Sequence, residues 1–183
     1  MHPEQDPYVA LARLSIEHLV HRHRPPPEIP AWIRQALEGI QAGVFVSLHE
    51  RATHELRGCI GTLAPTRDSV AEEVLHNAIA AASRDSRFSP VRAEELPGLD
   101  IRVDVLGEPE PVTDIGLLDP RRYGVIVSTG DGRRGLLLPD LEGVDSVELQ
   151  LSIAARKGGI HLDREPHRLQ RFTVVRHTAD SGV

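Results

Sequence analysis

The sequence has one cysteine, Cys59, in 183 residues. No internal disulfide can form, and neither a catalytic dithiol nor a multi-cysteine metal site can be assembled within the chain. Lysine is nearly missing: Lys157 is the only one, and every other basic residue is Arg, whose planar guanidinium favours bidentate contacts with carboxylates and phosphates. No apolar run approaches the ~18 uninterrupted residues that a membrane span needs. The N-terminal stretch Met1 to Asp6 has neither a basic n-region nor an apolar h-region, so no secretory leader is read and a cytoplasmic location is expected. A formal charge of −6, from 21 basic and 27 acidic residues, argues against a nonspecific nucleic-acid binder, because phosphate neutralisation needs a concentrated basic surface. Local pairs of Arg remain able to hold a small anion.

What is present is an ordinary globular composition, 40% apolar and 26% charged, enough for a full core. Asp6 followed by Pro7 reads as N-cap and first helical residue. Tyr8, Leu11, Ala12, Ser15, Ile16 and Leu19 then share one helical face. His18 and His21, with His23 nearby, have a spacing that could hold a metal, but no fixed third ligand is evident and a solvated helix end is the preferred reading. Pro25 to Pro27 reads as a short rigid connector, with a second helix after Pro30. Gly43 to His49 and Glu55 to Gly61 read as antiparallel strands. A third helix runs from a cap at Asp68 or Thr66 to about Ser83. Leu99 to Val105 alternates as a half-buried strand. Pro109, Pro111 and Pro120 mark an irregular crossing between two lobes. Beyond it come a hairpin turning at Gly130-Asp131-Gly132, a helix capped by Asp145 and closed by Gly158-Gly159, and a last strand from Leu169 to His177. The pattern predicts an α+β fold, a largely antiparallel sheet with flanking helices. The larger lobe is expected over about residues 1–110 plus 160–183 and the smaller over about 111–159.

The stretch Leu56-Arg57-Gly58-Cys59-Ile60-Gly61 draws attention because glycine inside a strand marks a bulge or a close approach. A regular pairing places Phe45 opposite Cys59, Ser47 opposite Arg57 and His49 opposite Glu55. Leu56 and Ile60 then face the core, and Glu55, Arg57 and Cys59 face the other way. In that register His54 cannot serve as a base for Cys59, although a bulge at Gly58 would reverse the parity.

This stretch resembles the Leu-Arg-Gly-Cys-Ile-Gly signature of the AMMECR domain family. Asp85, Arg87 and Phe88 resemble the family's Arg-Asp-Pro-Arg-Phe loop, with Ser86 in place of Pro. Tyr123-Gly124-Val125, Arg133 to Pro139 and Ala155 to Gly159 resemble its later motifs, with Ala155 where members often carry a second Cys. The ordered matches run from about Tyr8 to Phe172. The resemblance implies two interlinked lobes with a cleft lined partly by the Cys motif. It also implies, for prokaryotic members, a component acting with a Memo-like protein and a radical SAM protein; it implies no cofactor held by this chain, and any iron-sulfur cluster would belong to a partner.

Three readings of the motif stand open. In a small-anion-binding or adaptor component, the backbone from Gly58 to Gly61 joins Arg57, Arg87 and Arg134 around a carboxylate or phosphate. In a cysteine-dependent enzyme, Cys59 is the nucleophile, and His49, His161 or His167 supplies the base. In the third, Cys59 is a small packed residue and the glycines allow strands to approach closely.

Overall fold

The computed structural model describes residues 5–21 and 27–179. They form two units by internal packing, one of residues 5–21, 27–106 and 175–179 and one of residues 107–174. Pro25, Pro26 and His23 lie outside the described residues.

In the first unit, helix α1 (Pro7–Val20) starts where Asp6 accepts the backbone N–H groups of Tyr8 (2.9 Å) and Val9 (3.1 Å), as the Asp-Pro pair predicts. A short helix α2 (Ala31–Ala36) follows Pro30. Helix α3 (Val70–Ser83) is capped by Ser69, whose hydroxyl accepts the N–H of Glu72, rather than by Asp68 or Thr66. Strands β1 (Val44–Glu50), β2 (Leu56–Gly61), β3 (Leu99–Leu106) and β8 (Val174–His177) make an open sheet in the order β2-β1-β3-β8. Alternation along β1 buries Val44, Val46 and Leu48 completely, against Leu11, Ile16, Val70, Val74 and Val103. Full burial of one such side chain stabilises by about 1.5–3 kcal/mol. With the helices on the core side of the sheet, Phe45, Ser47 and His49 occupy the opposite, outward face.

In the second unit, strands β4 (Glu110–Val112), β5 (Gly124–Ser128), β6 (Arg134–Leu137) and β7 (Arg168–Phe172) make an open antiparallel sheet in the order β4-β7-β5-β6. Helix α4 (Val147–Lys157) lies on β5 and β6 around Val125, Val127, Leu151 and Ala154. Ser146, not Asp145, caps α4 through the N–H of Leu149. The strand expected to run unbroken from Leu169 to His177 is divided at Thr173, since β7 pairs with β4 and β5 whereas β8 joins β3. For the same reason residues 160–174 belong with the second unit and not with the first, where the sequence reading placed them.

Two of the glycine motifs of this unit are packing devices. A Cβ at Gly135 would stand 1.9 Å from the carbonyl oxygen of Ala154, and one at Gly158 would stand 2.7 Å from the nitrogen of Gly135, so β6 and the end of α4 meet backbone to backbone. Gly124 carries the ring of Phe172, which would lie 2.3 Å from a Cβ there.

Candidate functional site

The Cys motif departs from the regular pairing. Ser47, not Phe45, stands opposite Cys59, Leu48 stands opposite Gly58, and His49 stands opposite Leu56. Arg57 is therefore the extra residue of a β-bulge between the last two pairs. The bulge moves Leu56 from the expected core face to the side of His49, while Ile60, opposite Val46, stays packed on the core. Cys59 shares the outward face with Ser47 and is half-buried.

The N–H of Cys59 points out of the sheet edge and donates to Oδ2 of Asp85 at 2.9 Å. Asp85 also accepts the N–H of Arg87 (3.2 Å), its Nε (2.9 Å) and its Nη2 (2.7 Å), so four donors use the four acceptor directions of one buried carboxylate. The hydrogen bonds from Arg87, outweighing the penalty of burial, hold the Asp85 carboxyl far below the usual carboxylate range. The Cys motif and the Asp-Ser-Arg-Phe loop are thus joined through Asp85, a junction that sequence separation hides.

Arg57 turns into a carboxylate of its own. Its Nε and Nη2 donate to Glu95 at 2.8 and 3.2 Å, and its side chain is only 11% exposed. Burial pushes the Glu95 carboxyl up, but the hydrogen bond from Arg57 and that from the Arg92 N–H bring it below its ordinary value. Arg57 and Arg87 flank the ring of Phe88, with guanidinium carbons 5.9 and 5.4 Å from its centroid. Of the three arginines proposed to gather around an anion, two are therefore already met by carboxylates. Arg134 lies on β6 in the second unit, exposed.

Neither glycine of the motif presents an open backbone. A Cβ at Gly58 would stand 2.4 Å from the carbonyl oxygen of Ala81 in α3, and one at Gly61 would lie 2.2 Å from the ring of Phe45.

The outward face carries the candidate base as well. Ser47 Oγ lies 3.3 Å from Nε2 of His49, and Nδ1 of His49 lies 3.3 Å from the carbonyl oxygen of His54. A carbonyl only accepts, so Nδ1 bears the proton and Nε2 is left to accept from Ser47. His54 has φ of 60°, a left-handed conformation uncommon outside glycine, at the turn that aims this carbonyl. The bulge at Arg57 removes the strand parity by which the His54 ring was set aside, and His54 enters the row through its backbone carbonyl, which orients His49. Burial lowers the His49 pKa, the His54 hydrogen bond opposes this, and the nearby Arg102 and Arg176 lower it further. His49 is thereby kept neutral at pH 7. Arg87 stands close enough to Cys59 for a thiolate there to raise its pKa, after the larger effect of Asp85. His161 and His167, the other candidate bases, belong to the second unit.

Among the described residues no three or more His, Cys, Asp or Glu side chains are arranged to hold a metal, and no helix is long and apolar enough to cross a membrane.

A sequence profile of the AMMECR1 family matches residues 9–177. The chain belongs to the AMMECR1 family. A Thermotoga maritima relative is 49% identical over 173 residues, covering 94% of this chain and 98% of that protein. A Clostridium acetobutylicum relative is 46% identical over 174 residues, and the match covers 95% of this chain but 36% of that protein, so the chain spans about a third of its length. The crystal structure of the uncharacterized protein PH0010 from Pyrococcus horikoshii is similar with a TM-score of 0.81 at 31% identity, covering 92% of this chain and 88% of that one. The α+β architecture is thus shared with that P. horikoshii protein.

Proposed function

We propose that this AMMECR1-family chain acts through Cys59 as a thiol nucleophile toward a small electrophile, with His49 as the base and Ser47 as the relay between them. The observation that carries the reading is the row on the outward face: Cys59 opposite Ser47, and Ser47 within 3.3 Å of a neutral His49. The thiol proton passes to Ser47 Oγ as the Ser47 proton passes to His49 Nε2, leaving a thiolate and an imidazolium. Sγ bonds to the electrophilic carbon, and the imidazolium returns the proton to the departing group. Arg87 favours the thiolate electrostatically.

Alkylation of the native protein with iodoacetamide tests this reading. Modification of Cys59 in the folded state is expected. Modification only after unfolding would make Cys59 a packed residue.

A small-anion-binding or adaptor component beside Memo-like and radical SAM partners is the second reading. It draws on Arg87, whose side chain is 56% exposed and whose Nη1 is not used by Asp85. Titration with citrate at constant ionic strength distinguishes the two, because only this reading expects Arg87→Gln to abolish a thermal shift that Cys59→Ala retains.

A further inference from the structure

The anion chemistry sought at the Cys motif has a better-furnished place in the second unit. A groove of about 450 Å³ lies between the outward side of α4 and the turn that follows it, lined by Ser152, Ala155, Arg156, Ile160, His161 and Arg164, with Asp163 the one carboxylate on its wall. We propose that this groove binds a small molecule through a phosphate group.

Three features support the assignment. The first is that neither guanidinium has an ion-pair partner among the described residues. Among the described residues no carboxylate stands within ion-pairing distance of Arg156 or Arg164, whereas Arg133 is held by Asp131 and Glu165, and Arg171 by Glu110. Glu165, next in sequence to Arg164, is engaged by two nitrogens of Arg133 and by the N–H of His161. Guanidiniums brought to one concavity from a helix and from a separate turn repel one another unless an anion lies between them, and a phosphate meets both in bidentate fashion. Arg156 in the last turn of α4 also complements the helix terminus, but that role explains one cation and not the second, nor the hollow.

The second is the donor set. Ser152 and Arg156 stand one turn apart on the same side of α4, so a hydroxyl and a guanidinium converge, with His161 opposite on the turn. The N–H groups of Ile160 and His161 are taken by Ala155 and Glu165, so recognition falls to side chains. The third is the floor. Ala155 and Ile160 are 2% and 5% exposed, and a groove of this size exceeds a bare phosphate, leaving apolar room for a small organic body.

The test is titration of the full chain at constant ionic strength with inorganic phosphate, glycerol phosphate and adenosine monophosphate, followed by backbone amide NMR. Saturable shifts confined to residues 152–164 are expected. Arg156→Gln and Arg164→Gln should each weaken binding by about tenfold or more, since each removes a charge-assisted bidentate contact. The relative affinities of the three probes decide whether the phosphate is free or esterified. Both side chains are exposed on separate elements, so the two variants test the site independently should one fold poorly. Absence of saturable shifts, shifts centred elsewhere, or undiminished binding in the Arg156→Gln/Arg164→Gln double variant would overturn the assignment.

Discussion

Ser47 stands directly opposite Cys59 across β1 and β2, and its hydroxyl is 3.3 Å from Nε2 of His49. The pairing is displaced by two residues from the regular register: the loop takes up one, since His49 pairs with Leu56 and not Glu55, and the bulge at Arg57 takes up the second. Core packing on the other face holds the register: any one-residue shift would expose Ile60 and bury Cys59 against α3.

Packing against α3 makes Gly58 the most sensitive position of the motif. Gly58→Ala places a methyl 2.4 Å from the Ala81 carbonyl, and backbone must move to admit it. A loss of about 2–3 kcal/mol is expected, against at most about 1 kcal/mol for Cys59→Ala. Urea midpoints at pH 7 compare the two, and equal midpoints would contradict the close contact.

Gly135→Ala should destabilise the second unit by a similar amount, about 2–3 kcal/mol, because Ala154 O and Gly158 N both stand in the way of its Cβ. Amide hydrogen exchange should show the loss in residues 124–137 and 147–158. Unchanged protection there would contradict it.

Asp85 gives the first unit an acid-sensitive joint. Its folded pKa is depressed, so the unfolded state binds the proton more readily; the stabilisation is present above the ordinary carboxylate value near ~3.9 and is lost as pH falls through the folded value. Asp85→Asn should therefore cost about 2 kcal/mol at pH 7, and the gap to wild type should narrow well below pH ~4. Denaturant midpoints across that range check the sign; a gap that widens in acid would contradict it.

Much of the fold was legible where one face of an element is apolar and its ends carry distinctive chemistry. The alternation in Gly43 to His49 and Leu99 to Val105, the Asp6-Pro7 start of α1 and the Gly130-Asp131-Gly132 turn are of that kind. Adjacent residues of similar capping ability defeated the other helix starts, since Ser69 follows Asp68 and Ser146 follows Asp145. A period of two cannot say which sheet a strand joins, so the change of sheet at Thr173 left no local trace. Placement of Cys59 on the outward face followed from parity; the bulge that sets its partner did not. The carboxylates that occupy Arg57 and Arg87 were only half visible: Asp85 lies two residues from its arginine, but Glu95 reaches Arg57 across 38 residues. Arg156 and Arg164 carry no signature beyond their charge, and only the turn after α4 brings them to one groove.

The measurement that tests the central claim most directly is the rate of Cys59 alkylation against pH, from about pH 5 to about pH 9, in the wild type, Ser47→Ala and His49→Gln. If His49 accepts the thiol proton through Ser47, the wild-type rate rises with an apparent pKa below the ~8.5 of an ordinary thiol. Both variants then react at least about tenfold more slowly at pH 7 and titrate closer to that ordinary value. Three superimposable profiles would contradict the account.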